Sequence, residues 1–216
     1  MSPLLSWFCK IFLAPVVKAL FIKEIKGKEN IPKRNFILVS NHQSYLDIIL
    51  DAYLCVPRRF HFIGQIEGFK PPLKWLIAAL YFISGVIPLN RKDDNSRERA
   101  VKKAIEVLRK GDILVIYPEG RRSTSGEIQE GKFGTARIFL NTGVPIVPAA
   151  IKGAFELLPP RGKLKIKKIV KINISQPLFF EKELSEAKNL SEDSKEYEEI
   201  VKKITQQTMA EIKKLC

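Results

Sequence analysis

Short apolar runs alternate with stretches of helical periodicity along most of this chain. Runs rich in β-branched or aromatic residues predict strands at 35–40, 59–64, 85–89, 112–117, 144–151 and 163–175. Between them, apolar residues at helical spacing predict helices over 94–110, 133–143 and about 194–214. Asp94 or Ser96 can cap the first of these helices, which ends at Gly111, and Gly143 ends the second.

This alternation predicts an α/β fold with a single mixed or parallel sheet and helices on both faces. Several of the strand runs are apolar throughout, which is typical of strands covered on both sides. The apolar run Leu76–Leu89 contains Gly85 and Pro88, and we interpret it as a buried helix that enters a strand. Sites in such sheets gather at the carboxyl ends of the strands, so the residues directly after each strand are the candidates.

The first 29 residues form a separate segment by composition. They are strongly apolar, but Lys10, Pro15 and Lys18 keep the run shorter than the roughly 20 residues that a spanning helix needs. Aromatic residues among lysines fit an N-terminal interfacial helix pair that lies in the headgroup layer of a membrane. The alternative is a helix packed on the domain's own core. We therefore expect a membrane-associating helical segment at 1–29 and an α/β domain at 30–216.

The net charge of +14 indicates an acidic partner. Nucleic acid, an anionic membrane surface and a phosphorylated substrate all meet that condition. The sequence contains none of the spacings typical of nucleic-acid binders, and its basic residues accompany apolar segments, so we expect no nucleic acid. The three cysteines, Cys9, Cys55 and Cys216, are far apart, which favours a reducing, cytosol-facing location and no metal site.

A histidine follows the first predicted strand, and an aspartate stands five residues later. His42 and Asp47 can meet if the histidine lies in the turn and the aspartate in the first turn of the next helix. The carboxylate would then orient the ring and leave its other nitrogen free as a base. Two alternatives stay open. One is a capped helix start with His42 bonded to the backbone, and the other is a covalent route through Ser44, which lacks a G-x-S-x-G context.

Arginines follow two further strands, at Arg91 and at Arg121–Arg122. The planar fork of a guanidinium suits phosphate oxygens, so the group predicts an anion site. Glu119, beside the second pair, could hold an arginine in place or accept a substrate hydroxyl. A histidine base beside such a cluster indicates attack by the hydroxyl of a phosphorylated alcohol.

The blocks "NHQSYLD", "GVIPLNR", "YPEGRRS" and "VPIVPAAI" resemble, in order and spacing, the four motif blocks of the glycerolipid acyltransferases. The similarity runs from about residue 27 to residue 151 and is strongest to the bacterial 1-acylglycerol-3-phosphate (lysophosphatidic acid) acyltransferases. It implies that His42 is the catalytic base and that Asp47 orients it. It assigns the acceptor's phosphate to Arg91, Glu119, Gly120, Arg121 and Arg122, and support of the acyl-donor site or the sheet beneath it to Asn41, Lys132, Pro145 and Pro148.

The resemblance implies transfer of an acyl group from acyl-CoA or acyl-carrier protein to the sn-2 hydroxyl of 1-acyl-glycerol-3-phosphate, which gives phosphatidic acid. No cofactor or metal is expected, and the expected location is an anionic membrane surface at the cytoplasmic face of the inner (cell) membrane. Arg121 replaces the family's usual threonine, and Gln65 stands where a lysine is common. These departures leave another lysolipid acceptor, such as lyso-ornithine lipid, open. A non-catalytic basic membrane-binding protein is a further alternative, and the lysines of 161–171 could meet carrier protein, lipid headgroups or solvent.

Overall fold

The computed structural model of the chain describes residues 2–65 and 84–216. Within these ranges a seven-stranded sheet has the order β1-β7-β6-β2-β5-β3-β4. The strands β6, β2, β5, β3 and β4 are mutually parallel, whereas β7 is antiparallel to β6, and β1 is parallel to β7. The strands are β1 (Ile22–Lys26), β2 (Ile37–Ser40), β3 (Phe60–Gln65), β4 (Ile87–Leu89), β5 (Ile113–Ile116), β6 (Ile146–Lys152) and β7 (Val170–Ile174).

The helices follow the predicted periodicity closely where the sequence supplies caps. Ser194 caps the long final helix by accepting a hydrogen bond from the Tyr197 amide, and Gly143 ends another helix at a φ of 63°. The described helices are α1 (Pro3–Phe8), α2 (Ala14–Leu20), α3 (Asp47–Cys55), α4 (Asp94–Arg109), α5 (Gly134–Thr142), α6 (Ala154–Leu157), α7 (Glu181–Ala187) and α8 (Lys195–Leu215), with a π-helical turn at Cys9–Leu13 and a 3-10 turn at Lys28–Asn30.

The N-cap of α4 differs from both candidates in the sequence. Asp93 takes that position and accepts a hydrogen bond from the Asn95 amide. Ser96 instead accepts a hydrogen bond from the Asn90 amide at 2.9 Å, which holds the turn that follows β4.

Alternate residues of the central strands face two separate cores. In β2, Leu38 packs on one side together with α3 and α6, while Ile37 and Val39 pack on the other with α4, α5 and α8. This division confirms the predicted α/β class, a single mixed sheet with helices on both faces.

The strand predicted at 163–175 is shorter than expected. Only Val170–Ile174 pairs, because its neighbour β6 ends at Lys152 opposite Lys171 and offers no backbone beyond that point. The preceding residues, 161–168, are irregular and exposed. Residues 76–83 of the helix predicted before β4 lie outside the described residues.

The N-terminal segment forms one helix instead of a helix pair. The π-helical turn Cys9–Leu13 joins α1 to α2 immediately before Pro15, where a regular helix would clash with the proline ring. By length and composition alone Pro3–Leu20 could cross a membrane, and 17% of it is buried. The edge strand β1 also lies within the first 29 residues, so Ile22–Lys26 is part of the sheet.

Candidate active site

His42 lies in the turn directly after β2, and its ring contacts the first residue of α3. The distance from His42 Nδ1 to Asp47 Oδ2 is 2.9 Å. The same carboxylate oxygen accepts hydrogen bonds from the Gln43 and Ser44 amides, each at 2.7 Å. The expected contact is therefore present, and one carboxylate both holds the helix start and orients the ring. With Nδ1 bound to Asp47, Nε2 is the nitrogen left for a substrate.

The surroundings of His42 favour its neutral form. The ring is buried and stacks on Tyr117, with centroids 3.9 Å apart and planes within 9°. Burial lowers the pKa of His42, the Asp47 hydrogen bond and charge oppose this shift, and Arg122 and Arg91 lower the pKa further. A histidine with a lowered pKa is unprotonated at neutral pH, which is the state a general base needs.

The Ser44 hydroxyl forms hydrogen bonds with nearby backbone groups. Its Oγ donates to the Leu158 carbonyl at 2.7 Å and accepts from the Leu46 amide at 3.0 Å. The hydroxyl proton therefore points to a carbonyl and not to the His42 ring, and the geometry gives the covalent route no support.

Both carboxylate oxygens of Glu119 bind backbone amides. Its Oε1 accepts from the His42 amide at 2.7 Å and its Oε2 from the Gln129 amide at 2.9 Å, and the residue is only 2% exposed. Burial raises the pKa of the Glu119 carboxyl, and the two amide bonds oppose that shift. This side chain ties the His42 turn to the loop after β5.

A cavity of about 470 Å³ opens beside His42 and Tyr117. Arg91, from the end of β4, and Lys132, from the loop before α5, bring positive charge to its lining. Arg97 of α4 adds a third cation, and Gln65 and Thr135 add polar groups. The apolar part of the wall lies between the sheet, α4 and α5 and is formed by Ile63, Leu89, Ala100, Val101, Ile116 and Ile138. The lining of the cavity thus combines cationic side chains with a larger apolar part.

The structure separates the two neighbouring arginines. The Arg122 guanidinium lies 3.9 Å from the centre of the Tyr45 ring and close enough to His42 to lower the pKa of that ring. Arg121 is exposed and donates to the Gln129 side chain at 2.8 Å, and neither of the two arginines is part of the cavity lining. Arg91 and Arg122 are therefore the arginines close enough to His42 to lower the pKa of its ring.

The residues expected to support the donor site have different positions. The Asn41 side chain bonds both the amide and the carbonyl of Ile151, at 2.7 and 3.0 Å, and so ties the end of β2 to β6. Pro145 and Pro148 belong to the sheet beneath the site, where they neighbour Ile37 and Val39. Lys132 lines the cavity.

Gly120, expected to bind phosphate, also lines the cavity. It has a φ of 70°, and a Cβ there would lie 3.1 Å from the Lys132 side chain. The glycine therefore lets that lysine approach the loop closely.

Two residues near His42 were missed by the sequence reasoning. Tyr117 directly follows β5, and no feature of the sequence indicated its stacking on His42. Asp51 is fully buried four residues after Asp47, accepts from Ser40 Oγ at 2.7 Å, and has a pKa that burial raises to about 7. The spacing of two acids at i and i+4 in α3 was the available signal for Asp51.

The other histidine serves the opposite edge of the sheet. His61 bonds the Gly85 carbonyl at 2.7 Å and Asp112 at 3.0 Å, and Asp112 precedes β5. Both ring nitrogens have structural partners, which leaves His42 as the histidine at the carboxyl edge.

The fold and this site together define a class of protein: an α/β domain with a histidine–aspartate pair and cationic side chains at the carboxyl edge of a mixed sheet. Residues 23–152 match the family model described as Acyltransferase, and the chain belongs to that family.

Relatives with assigned names agree with this membership. The chain is 31% identical over 156 residues to the chloroplastic 1-acyl-sn-glycerol-3-phosphate acyltransferase BAT2 of Brassica napus, a match that covers 71% of this chain and 44% of that protein. It is 30% identical over 173 residues to the 1-acyl-sn-glycerol-3-phosphate acyltransferase of Bacillus subtilis, with coverage of 79% and 81%. The chain thus spans less than half of the plant relative's length.

The crystal structure of the 1-acyl-sn-glycerophosphate (LPA) acyltransferase PlsC from Thermotoga maritima has a similar fold. Its TM-score to this chain is 0.64 at 27% identity, and the match covers 96% of this chain and 80% of that one.

Proposed function

We propose that this protein transfers a fatty acyl group from acyl-CoA or acyl-carrier protein to the sn-2 hydroxyl of 1-acyl-glycerol-3-phosphate. The product is phosphatidic acid. The observation that carries the proposal is the His42–Asp47 pair beside a cavity lined by cationic and apolar side chains. The names of the relatives support the choice of acceptor.

The transfer proceeds by direct attack. The acceptor hydroxyl donates to His42 Nε2 and loses its proton to that nitrogen while its oxygen attacks the thioester carbonyl. The carbon–sulfur bond then breaks, and the thiolate leaves and takes up a proton. Asp47 stabilises the cationic ring that forms in this step. The reaction needs no cofactor or metal.

The cationic side chains position the acceptor. Arg91 and Lys132 line the cavity and Arg122 lies near His42, so a phosphate bound among them would place the neighbouring hydroxyl against the base. The apolar wall between α4 and α5 suits the acyl chain.

The location follows from the same chemistry. We propose that the N-terminal helix rests on the cytoplasmic face of the cell membrane, where the acyl donors are found. Large apolar side chains of this helix are exposed, among them Trp7, Phe8, Ile11 and Phe12.

Acyl transfer by purified His42→Ala in detergent tests the proposal. The assay combines lysophosphatidic acid and other lysolipids with acyl-CoA and acyl-carrier donors. General-base catalysis contributes about 10²–10⁴-fold, so we expect a loss of that size in kcat at unchanged circular dichroism. Ser44→Ala is the matched variant for the covalent route, and we expect it to retain most of the activity. A folded His42→Ala variant with near wild-type transfer would exclude the mechanism.

A further inference from the structure

A short basic loop that the proposed reaction does not use lies exposed at the rim of the sheet. We call residues 161–168 the basic loop; all eight are exposed. It carries five cations and no acid: Arg161, Lys163, Lys165, Lys167 and Lys168. Between the lysines, Leu164 is 50% exposed and Ile166 is 64% exposed. Apolar side chains held in water at alternate positions indicate a surface that another body covers.

The topology places the basic loop at the same edge as His42. β6 is parallel to β2 and ends at that edge, and the antiparallel β7 begins there, so the connection between β6 and β7 lies beside the site. A hydrogen bond of 2.7 Å from Ser44 Oγ to the Leu158 carbonyl joins the start of this connection to the His42 turn. The Lys165 amide in turn bonds the Leu157 carbonyl at 2.8 Å and fixes the loop's middle.

Other exposed apolar groups reach the same edge. The Phe21 carbonyl accepts from the Val170 amide at 2.9 Å, so the end of the N-terminal helix lies beside the end of the basic loop. At the start of α3, next to Asp47, three large apolar side chains are between 39% and 47% exposed: Tyr45, Ile48 and Ile49. The cations and the apolar side chains thus surround the edge that holds the site.

We propose that the basic loop is a second membrane contact, separate from the N-terminal helix, which binds anionic lipid headgroups and seats the mouth of the site on the bilayer. Lysines beside a membrane bind its negative surface, while Leu164 and Ile166 enter the interfacial layer. An acidic carrier protein would also be attracted to the cations of the basic loop. The bilayer is favoured because the basic loop shares its edge with the apolar end of α2 and with the exposed first turn of α3.

This inference concerns how the molecule lies on a membrane and goes beyond the proposed function, since it does not depend on which lysolipid is acylated. It is tested by binding alone. The full chain is mixed with vesicles of phosphatidylcholine, with or without phosphatidylglycerol, and the bound fraction is measured by flotation.

One variant removes the loop's charge, and a matched control removes the same charge elsewhere. The first replaces four lysines of the basic loop by glutamine: Lys163, Lys165, Lys167 and Lys168. The control replaces four exposed lysines of α7, α8 and the turn between them, elements that pack on the same side of the sheet as α4 and α5: Lys182, Lys188, Lys195 and Lys202.

We expect the loop variant to lose about three orders of magnitude of its partitioning to the anionic vesicles, since each lysine beside such a surface contributes about 1 kcal/mol, and to bind neutral vesicles as the wild type does. The control should change less than about threefold on either vesicle. Equal losses in the two variants would mean that only net charge matters and would overturn the proposal.

A second variant tests the apolar part of the contact. Leu164→Ser with Ile166→Ser should weaken binding to both kinds of vesicle about tenfold or more, because it removes interfacial burial and keeps every charge. Wild-type binding by both loop variants, together with a higher KM for an acyl-carrier donor alone, would identify the loop as a carrier-protein surface and refute the membrane contact. Unchanged melting temperatures show that the comparison is between folded proteins.

Discussion

Individual neighbours of His42 shift the pKa of its ring in opposite directions. Burial and two arginines lower its pKa, and Asp47 raises it. Activity that depends on the unprotonated ring rises with pH as His42 loses its proton. The acid limb of kcat/KM should therefore lie below the pH at which an ordinary histidine titrates.

Two substitutions should move this limb in opposite directions. Asp47→Asn removes the neighbour that raises the pKa of His42, so the limb moves to lower pH, with a reduced plateau because the ring is less well held. Arg122→Ala removes a cation that lowers this pKa, so the limb moves to higher pH. Profiles of kcat/KM against pH for the two variants and the wild type check this. Shifts of the same sign would show that another group controls the limb.

Asp51 should make the stability of the protein fall as the pH rises. Its carboxyl is buried beside Asp47, Tyr117 and Cys55, and burial raises its pKa from 3.8 to about 7. Between these two values the folded protein holds a proton that the unfolded chain has lost, so folding is favoured at low pH and this contribution is lost as pH approaches 7.

Asp51→Asn should abolish that dependence. One pKa unit corresponds to about 1.4 kcal/mol, so the wild type should lose about 2–3 kcal/mol relative to this variant between about pH 5 and about pH 8. Urea unfolding at the two pH values measures the difference. Asp94→Asn, at an 87% exposed side chain, is the control and should keep the wild-type dependence. Parallel pH curves for Asp51→Asn and the wild type would contradict the expectation.

The sequence indicated which residues carry chemistry better than it indicated their partners. The His42–Asp47 contact could be predicted because five residues of chain leave few ways to join a turn to a helix start. The stacking of Tyr117 on His42 and the amide bonds of Glu119 could not. Tyr117 and Glu119 lie about 75 positions from His42, and only the assembled sheet brings these segments together.

At the scale of elements, strand pairing decided what the local pattern left open. The alternation of lysine and apolar residues over 163–169 is strand-like, but the neighbouring β6 had already ended. The edge strand β1 was not predicted, because its sequence "IKEIK" has little apolar character. It is a strand because its backbone pairs with β7. Long helices with clear caps, such as α8, were predicted nearly to the residue.

Glu119 connects two of these elements, and its replacement should loosen the site. In Glu119→Gln one side-chain oxygen becomes an amide nitrogen that faces a backbone N–H, so one of the two bonds to His42 and Gln129 is lost. An unsatisfied buried donor costs about 1–3 kcal/mol. The melting temperature and kcat should both fall. Glu127→Gln, an exposed change in the same loop, should affect neither, and a wild-type melting temperature for Glu119→Gln would refute the role.

The N-terminal helix should act through its exposed face. Trp7, Ile11 and Phe12 are 56%, 57% and 58% exposed, so their replacement by serine removes little packing from the fold. Vesicle binding should weaken by about tenfold for each residue, measured by flotation at an unchanged melting temperature. Phe179→Ser, at a 53% exposed phenylalanine on the segment between β7 and α7, is the control. Wild-type vesicle binding by a variant with all three residues replaced by serine would show that another part of the protein binds the membrane.

At the scale of the whole molecule, the site exists only because distant strands end at one edge. His42 follows β2, Arg122 lies beyond β5, and Arg91 follows β4 at the end of the sheet. His42 and Arg91 are almost fifty positions apart in the sequence, and the parallel strand order brings them to one cavity. A phosphate between the arginines would therefore be positioned by the sheet as a whole, and its recognition can be tested apart from catalysis.

Arg91→Ala and Arg122→Ala should each raise the KM for lysophosphatidic acid and lower kcat, because the phosphate places the hydroxyl against His42. A charge-assisted hydrogen bond contributes about 1.5–3 kcal/mol, so each change should cost about one to two decades in kcat/KM. Arg122→Lys should recover only part of the loss, since an ammonium lacks the guanidinium fork.

Arg121→Ala is the matched control, because that neighbour bonds Gln129 outside the cavity. The decisive quantity is the ratio of activity on lysophosphatidic acid to that on a monoacylglycerol. This ratio should fall in the Arg91 and Arg122 variants and hold in Arg121→Ala, whereas equal losses on both acceptors would mean that the arginines support the fold or the donor site instead of binding phosphate.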